Sequence, residues 1–139
     1  MANCSITGFN ELEKMLKKLE QPEKMAIKAV DAASPVLVKA MQSSIEAVTG
    51  SSRRSKGTLA GSISATSARQ NEMGVFSAVR PTGTDSKGVR NGAKLAYLEY
   101  GVKSHNQPPR PVRANAVAMA ESECLRIIQD IIEQEVNSL

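Results

Sequence analysis

Two long stretches of this chain repeat apolar residues at steps of three and four, which commits much of its length to amphipathic helices. The first opens at Pro22, a residue suited to a first helical turn, and is expected to end near Thr49-Gly50. Pro35 interrupts it, so the helix either bends there or restarts with Ser34 as its cap. The second stretch follows Pro111. The apolar positions are Ile27, Val30, Leu37, Met41, Ile45 and Val48 in the first, and Val117, Ala120, Cys124, Leu125, Ile128, Ile131, Ile132 and Val136 in the second.

A shorter helix is predicted before the first stretch. Asn10 offers a capping side chain at its start, and Pro22 ends it. Its apolar stripe would consist of Phe9, Leu12, Leu16 and Leu19.

Between the two long stretches, the spacing of apolar residues changes from the helical pattern to an alternating one. Residues 62–68 and 74–80 alternate weakly and are expected to form two antiparallel strands joined around residues 70–72. Residues 95–100 fit either a short helix or a third strand. These elements predict an α+β fold with two N-terminal helices, a small antiparallel sheet of two to four strands, and a C-terminal helix packed on the sheet.

Two polar segments are expected to be mobile loops within a single domain spanning residues 1–139. Residues 50–58 contain no apolar side chain, and residues 81–92 form a long excursion rich in Gly, Ser, Thr and Lys. The cations expected on or next to these loops are Arg53, Arg54 and Lys56 for the first, and Lys87, Arg90 and Lys94 for the second.

Charge is distributed unevenly along the chain. Residues 53–113 hold eleven basic and three acidic side chains, whereas residues 114–139 hold one basic and five acidic ones. A basic middle and an acidic tail can attract an external polyanion or the complementary face of another copy. Aromatic residues make up only 3% of the chain, so the core must be built from aliphatic side chains, and burial by neighbouring subunits would help it.

Several classes of site are disfavoured. Cys4 and Cys124 are too few for a disulfide framework or a metal cluster, and no cofactor is expected. His105 is interpreted as a surface residue, and Glu99 as a structural carboxylate rather than a general base. The chain has no leader pattern and no apolar run near the ~18 residues that span a bilayer, which predicts synthesis in the cytoplasm. No enzymatic activity and no small-molecule substrate are expected.

The most distinctive motif is Tyr97-Leu98-Glu99-Tyr100-Gly101, followed by Pro108-Pro109-Arg110-Pro111. Glu99 stands among apolar and aromatic residues, so its carboxylate needs a partner, and Arg110 and Arg113 are the nearest candidates. We expect Glu99 and Arg110 to pair and to fix the last helix against the sheet. Gly101 would supply a turn that a β-carbon would hinder. The residues expected to shape an interface are Tyr97, Glu99, Tyr100, Gly101, Pro109, Arg110 and Pro111.

Four segments, in order, resemble the gene-product-ten-like tail-component family of bacteriophages and prophages. They are Thr7-Gly8-Phe9-Asn10-Glu11-Leu12, Lys56-Gly57-Thr58-Leu59-Ala60-Gly61-Ser62-Ile63, the Tyr97–Gly101 block, and Pro108–Pro111 with Ala114. The chain departs from the family where Pro109 replaces an aromatic residue and Val102 replaces a threonine.

The resemblance implies a structural subunit of the virion, made in the host cytoplasm and located at the neck of a long-tailed phage. Such a tail-completion subunit would form a homo-oligomeric ring, for which a hexamer is one option, and would contact head–tail connector and tail-tube proteins. DNA would pass through its channel. The alternative is a small basic nucleic-acid-binding protein, which the two basic loops favour.

Overall fold

The computed structural model describes Glu13, Lys17 and residues 21–49 and 58–138. Glu13 and Lys17 are helical, and Lys17 Nζ lies 3.6 Å from Glu13 Oε1. Other predicted features lie outside the described residues: the apolar stripe of the first helix, Cys4, and the loop cations Arg53, Arg54 and Lys56.

Helix α1 spans Pro22–Thr49 and runs through Pro35, as the prediction of one long helix requires. Proline has no N–H, so it cannot donate to the carbonyl of Asp31 one turn earlier. The Ser34 hydroxyl donates to that carbonyl at 3.2 Å instead. The helix therefore continues past Pro35 with the affected carbonyl still hydrogen-bonded.

A short helix, α2 (Thr58–Gly61), leads into an interrupted β-hairpin. Four short strands are present, within the predicted two to four, because each of the two predicted strands is interrupted. β1 (Ile63–Ala65) pairs with β4 (Val79–Pro81), and β2 (Arg69–Asn71) pairs with β3 (Gly74–Phe76), both antiparallel. Ala65 faces Val79, whereas Arg69 faces Phe76, so the first limb holds one extra residue at the break. The turn consists of Glu72 and Met73, slightly later than predicted.

The break in the hairpin is attached to α1. The Ala68 N–H donates to Asp31 Oδ1 at 2.7 Å. Asp31 lies in α1, one helical turn before Pro35. Within the break, the Thr66 hydroxyl oxygen accepts from the Ala78 N–H at 2.9 Å. All four strands contact α1, so this long helix is the platform on which the hairpin lies.

Residues 91–100 form helix α3 (Asn91–Tyr100), which decides the ambiguity between helix and strand in favour of the helix. A 3-10 turn at Lys103–His105 follows, and helix α4 spans Val112–Asn137. Asn91 is 2% exposed, and its side-chain amide donates to the Thr82 carbonyl at 2.8 Å. This contact fixes the start of α3 to the end of the hairpin.

The α+β architecture predicted from the sequence is confirmed, and α4 shares one core with the sheet. Its most extensive contact is with α1, along a seam of small side chains. The buried Ser44 hydroxyl donates to the Val112 carbonyl at 2.8 Å, which ties the end of α1 to the start of α4. The buried apolar residues are Ala29, Ala33, Ala40, Met41, Ile45, Ala60, Ile63, Leu95, Val112, Ala116 and Ala120.

The predicted apolar stripe of α4 is confirmed in part, because Ala120 is buried and Cys124, Ile128 and Ile131 are half-buried. Val112, Ala116 and Ala120 are buried, whereas several larger predicted stripe residues are exposed: Val117 by 51%, Leu125 by 60%, Ile132 by 39% and Val136 by 43%. The buried residues of α1 include Ala29, Ala33 and Ala40, so small side chains line both sides of the seam between the two helices. Cys124 packs partly buried against the core, as predicted, and burial raises the pKa of its thiol. Within the described ranges, no helix is both long and apolar enough to cross a bilayer.

Candidate assembly surface

Glu99 lies in the last turn of α3 and caps the start of α4. Its carboxylate accepts the backbone N–H groups of Arg113 at 2.7 Å and Ala114 at 3.4 Å. These are among the first N–H groups of α4, which have no partner within the helix, and Pro111 at the cap position provides no side-chain acceptor. The Glu99 side chain is 12% exposed, so the predicted need for a partner is confirmed. The contact also places negative charge at the positive end of a helix dipole.

The expected ion pair between Glu99 and Arg110 is wrong, because the structure pairs Glu99 with Arg113. Arg113 Nε lies 3.9 Å from Glu99 Oε2, and Arg113 also donates to the Tyr100 hydroxyl at 3.0 Å. Its guanidinium carbon lies 5.3 Å from the centroid of the Tyr100 ring, within cation–π range. Arg110 instead contributes its backbone, donating its N–H to the Leu98 carbonyl at 2.6 Å.

The turn between α3 and α4 requires Gly101. Its φ is +75°, and a β-carbon there would lie 2.6 Å from the Gln107 carbonyl oxygen and 2.9 Å from the Pro109 nitrogen. Val102 and Gln107 exchange two backbone hydrogen bonds of 3.0 Å, which close the loop over this glycine. The prediction that Gly101 serves a turn is therefore confirmed, with the proline-rich segment as its close neighbour.

The motif residues predicted from the sequence come together at this junction, and part of it faces solvent. Tyr97 is 51% exposed and Tyr100 is 70% exposed, one helical turn apart. Among described residues, Lys103 and Arg110 are exposed and make no ion pair. Pro109 and Pro111 are also exposed and shape the return of the chain. We call the cluster of Tyr97, Tyr100, Lys103, Arg110 and Arg113 the tyrosine–arginine patch.

The loop that precedes α3 is built around Asp85. Its Oδ1 accepts the N–H groups of Lys87 and Val89, both at 2.9 Å, while Lys94 Nζ lies 2.6 Å from Oδ2. The hydrogen bond from Lys94 and those from the backbone lower the pKa of Asp85 to about 2. Lys94 was expected to be one of the loop cations, but its charge is compensated by this pair. The mobility expected for the segment stays a prediction.

Lys87 and Arg90 are the loop cations that remain exposed. In the part of the chain that the structure describes, neither of them forms an ion pair. They lie at the start of α3, whereas Lys103 and Arg110 lie beyond its end. Uncompensated positive charge therefore occurs at both ends of this helix.

A second surface, predicted as part of the packed apolar stripe of the last helix, runs along α4. We call the exposed residues Val117, Leu125, Ile132 and Val136 the C-terminal stripe. Glu121 lies on the same face by its helical spacing, and Glu133 follows Ile132; both are exposed. By contrast, Arg126 lies near two other acidic residues of this helix, Glu123 and Asp130. In the sequence, the excess of acidic residues after position 114 is the feature that could have indicated an exposed face on this helix.

Comparisons of the chain with protein-family models, curated proteins and solved structures find no match. Among the described residues, no three His, Cys, Asp or Glu side chains are grouped as metal ligands would be. His105 is exposed in its 3-10 turn. What the described residues offer is two surfaces on one scaffold: the basic, aromatic patch at the start of α4 and the apolar, acidic stripe further along that helix.

Proposed function

We propose that this protein is a structural virion component of a tailed phage or prophage. It acts as a neck or tail-completion subunit, forms an oligomeric ring, and contacts head–tail connector and tail-tube proteins. Its site of action is the neck of the particle, after synthesis in the bacterial cytoplasm. The ring surrounds the path of the DNA.

One observation carries this proposal. The two motifs that resemble the tail-component family, Tyr97–Gly101 and Pro108–Pro111, meet in a single junction between α3 and α4. Glu99 and Gly101 fix the backbone there, so Tyr97 and Tyr100 are presented outward from a rigid base. Tyrosine and arginine are enriched at the energetic centres of protein–protein interfaces. A surface of this composition suits attachment to another protein.

Deletion of the gene in a host that carries it tests the role directly. After induction, we expect filled heads and free tails that fail to join, seen by electron microscopy. Infectious titre should fall by several orders of magnitude and return when the intact gene is supplied from a plasmid. Normal joined particles and an unchanged titre in the deletion strain would overturn the proposal.

Nucleic-acid binding is the second candidate, and one observation favours it. Tyr97 and Tyr100 are exposed, and the Arg113 guanidinium lies over the Tyr100 ring, so aromatic faces and a cation occur together, as in single-strand binding surfaces. If this were the main function, affinity for a labelled oligonucleotide would fall steeply with salt, and Arg110→Gln would reduce the slope. Under the virion proposal, we expect the oligonucleotide to bind weakly at ~0.15 M salt, because a ring through which DNA passes does not need to bind that DNA tightly.

A further inference from the structure

We propose that copies of this protein join head to tail, with the tyrosine–arginine patch of one copy receiving the C-terminal stripe of the next. The inference rests on the proposed assembly role and names the two surfaces that would carry it. The occupant of each surface is thus a second copy of the chain.

The stripe has the character of one half of a helix interface. Leu125, Ile132 and Val136 are 60%, 39% and 43% exposed on one face of α4. At about 1.5 Å per residue, the distance from Val117 to Val136 is roughly 28 Å, enough for one side of a protein contact. Each of these side chains would gain about 1 to 2 kcal/mol from complete burial, which favours covering them.

The patch supplies complementary chemistry. Tyr97 and Tyr100 provide apolar rings that can cover aliphatic side chains. Lys103 follows Tyr100 by three residues, and Arg110 is hydrogen-bonded through its backbone to Leu98, so both bring exposed positive charge without an ion pair to the same junction. Glu121 and Glu133 provide exposed negative charge beside the stripe. An apolar centre with charged edges of opposite sign matches the usual anatomy of an interface.

The same charges argue against a symmetric contact. If two stripes met, Glu121 and Glu133 of each copy would approach those of the other, and two facing patches would bring four or more cations together. Contact between unlike surfaces pairs opposite charges instead. The patch lies around the end of α3 and the first turn of α4, whereas the stripe centres on Leu125 and Ile132, more than three turns further along α4. A copy that uses different surfaces for its two neighbours can extend the series and close it into a ring.

Two double variants test the arrangement, each disabling one surface. Tyr97→Asp with Arg110→Asp disables the patch, and Leu125→Asp with Ile132→Asp disables the stripe. The matched control is Met119→Asp, because Met119 is 62% exposed on the same helix but off the stripe. The full-length proteins are compared by light scattering and sedimentation over a wide concentration range.

We expect the wild-type protein and Met119→Asp to form rings, and each double variant to be monomeric, with association weakened at least about tenfold. An equimolar mixture of the two double variants should form a 1:1 dimer that grows no further. In that dimer, the intact patch of one variant holds the intact stripe of the other, and the two remaining surfaces are both disabled. A symmetric interface could not give this result.

Other outcomes overturn the inference. They are a wild-type protein that stays monomeric at every concentration, a mixture that stays monomeric while the wild type assembles, and loss of assembly in Met119→Asp. A large fall in the unfolding midpoint of Leu125→Asp with Ile132→Asp would also overturn it, since the stripe would then be covered within the same chain. Rings that depend on both surfaces, together with normal virions in the deletion strain, would sustain this inference and remove the proposed virion role.

Discussion

The carboxylate of Glu99 accepts the backbone N–H of Arg113 at 2.7 Å, so the last turn of one helix caps the first turn of the next. The same arginine turns its guanidinium to the Tyr100 ring and hydroxyl. One acidic residue therefore orders both the backbone of the junction and the aromatic surface beside it. This relationship explains why an acidic residue stands between two tyrosines.

Replacing Glu99 should destabilise the fold. We expect Glu99→Ala to lower the free energy of unfolding by about 1 to 2 kcal/mol, because two N–H groups at the start of α4 lose their acceptor. Glu99→Gln retains one acceptor oxygen and should lose less. Urea denaturation measures both, and Glu121→Ala, at an exposed position of α4, should stay within about 0.5 kcal/mol of the wild type. Equal stability of Glu99→Ala and the wild type would contradict the capping role.

Gly101→Ala should be more damaging than a change at another glycine. A β-carbon at Gly101 would meet the Gln107 oxygen at 2.6 Å, and the φ of +75° disfavours any side chain. We expect a loss of about 2 kcal/mol or more, measured by chemical denaturation. Gly92→Ala is the control, since Gly92 lies in α3 with open space around its β position and should gain up to about 1 kcal/mol. The prediction fails if the two variants have the same stability.

Asp85 should make stability depend on pH in the acid range. Its pKa is about 2 in the folded protein, below its usual value, so its contribution is complete above about pH 4 and is lost as the pH falls toward 2. The difference in unfolding free energy between the wild type and Asp85→Asn should narrow across that interval. The amide resonances of Lys87 and Val89, which donate to Asp85, should titrate with the same midpoint in NMR spectra. A midpoint near pH 4 would contradict the proposed network.

Pro35→Ala should stabilise the protein. Pro35 is exposed within α1, and alanine would restore an N–H that can reach the Asp31 carbonyl. We expect a gain of about 1 to 2 kcal/mol, reduced from the full helix penalty of proline because the unfolded chain also becomes freer. Thermal and urea unfolding measure it, with Lys39→Ala as a neutral control on the same helix. A destabilised variant would mean that the proline fits a bend that the hairpin needs.

Local features of the fold could be read from the sequence because short-range chemistry decides them. Helical spacing located α1 and α4, and alternation located the two limbs of the hairpin. The requirement for Gly101 followed from a sharp turn between an aromatic motif and a proline-rich one. Each of these depends on neighbours within a few positions along the chain.

Features that depend on three-dimensional placement could not be predicted. Arg110 and Arg113 were both near enough in sequence to pair with Glu99, and only the helix start at Val112 decides between them. The sequence predicts Lys94 to be a free cation because no local pattern indicates that Asp85 folds back toward it. The apolar residues of α4 predict one wide stripe, and only its alanine-rich side packs against α1, so Val117, Leu125, Ile132 and Val136 stay exposed.

The seam between α1 and α4 has a mechanical consequence. Ala29 and Ala116 are 0% exposed, and alanine has no rotamers with which to absorb a displacement. The paired helices α1 and α4 should therefore move as one rigid body, with the patch at one end and the stripe along the exposed side of α4. If copies close into a ring, the length and tilt of this helix pair would set the curvature of the ring. A single added methyl group in the seam would then alter the diameter of the ring.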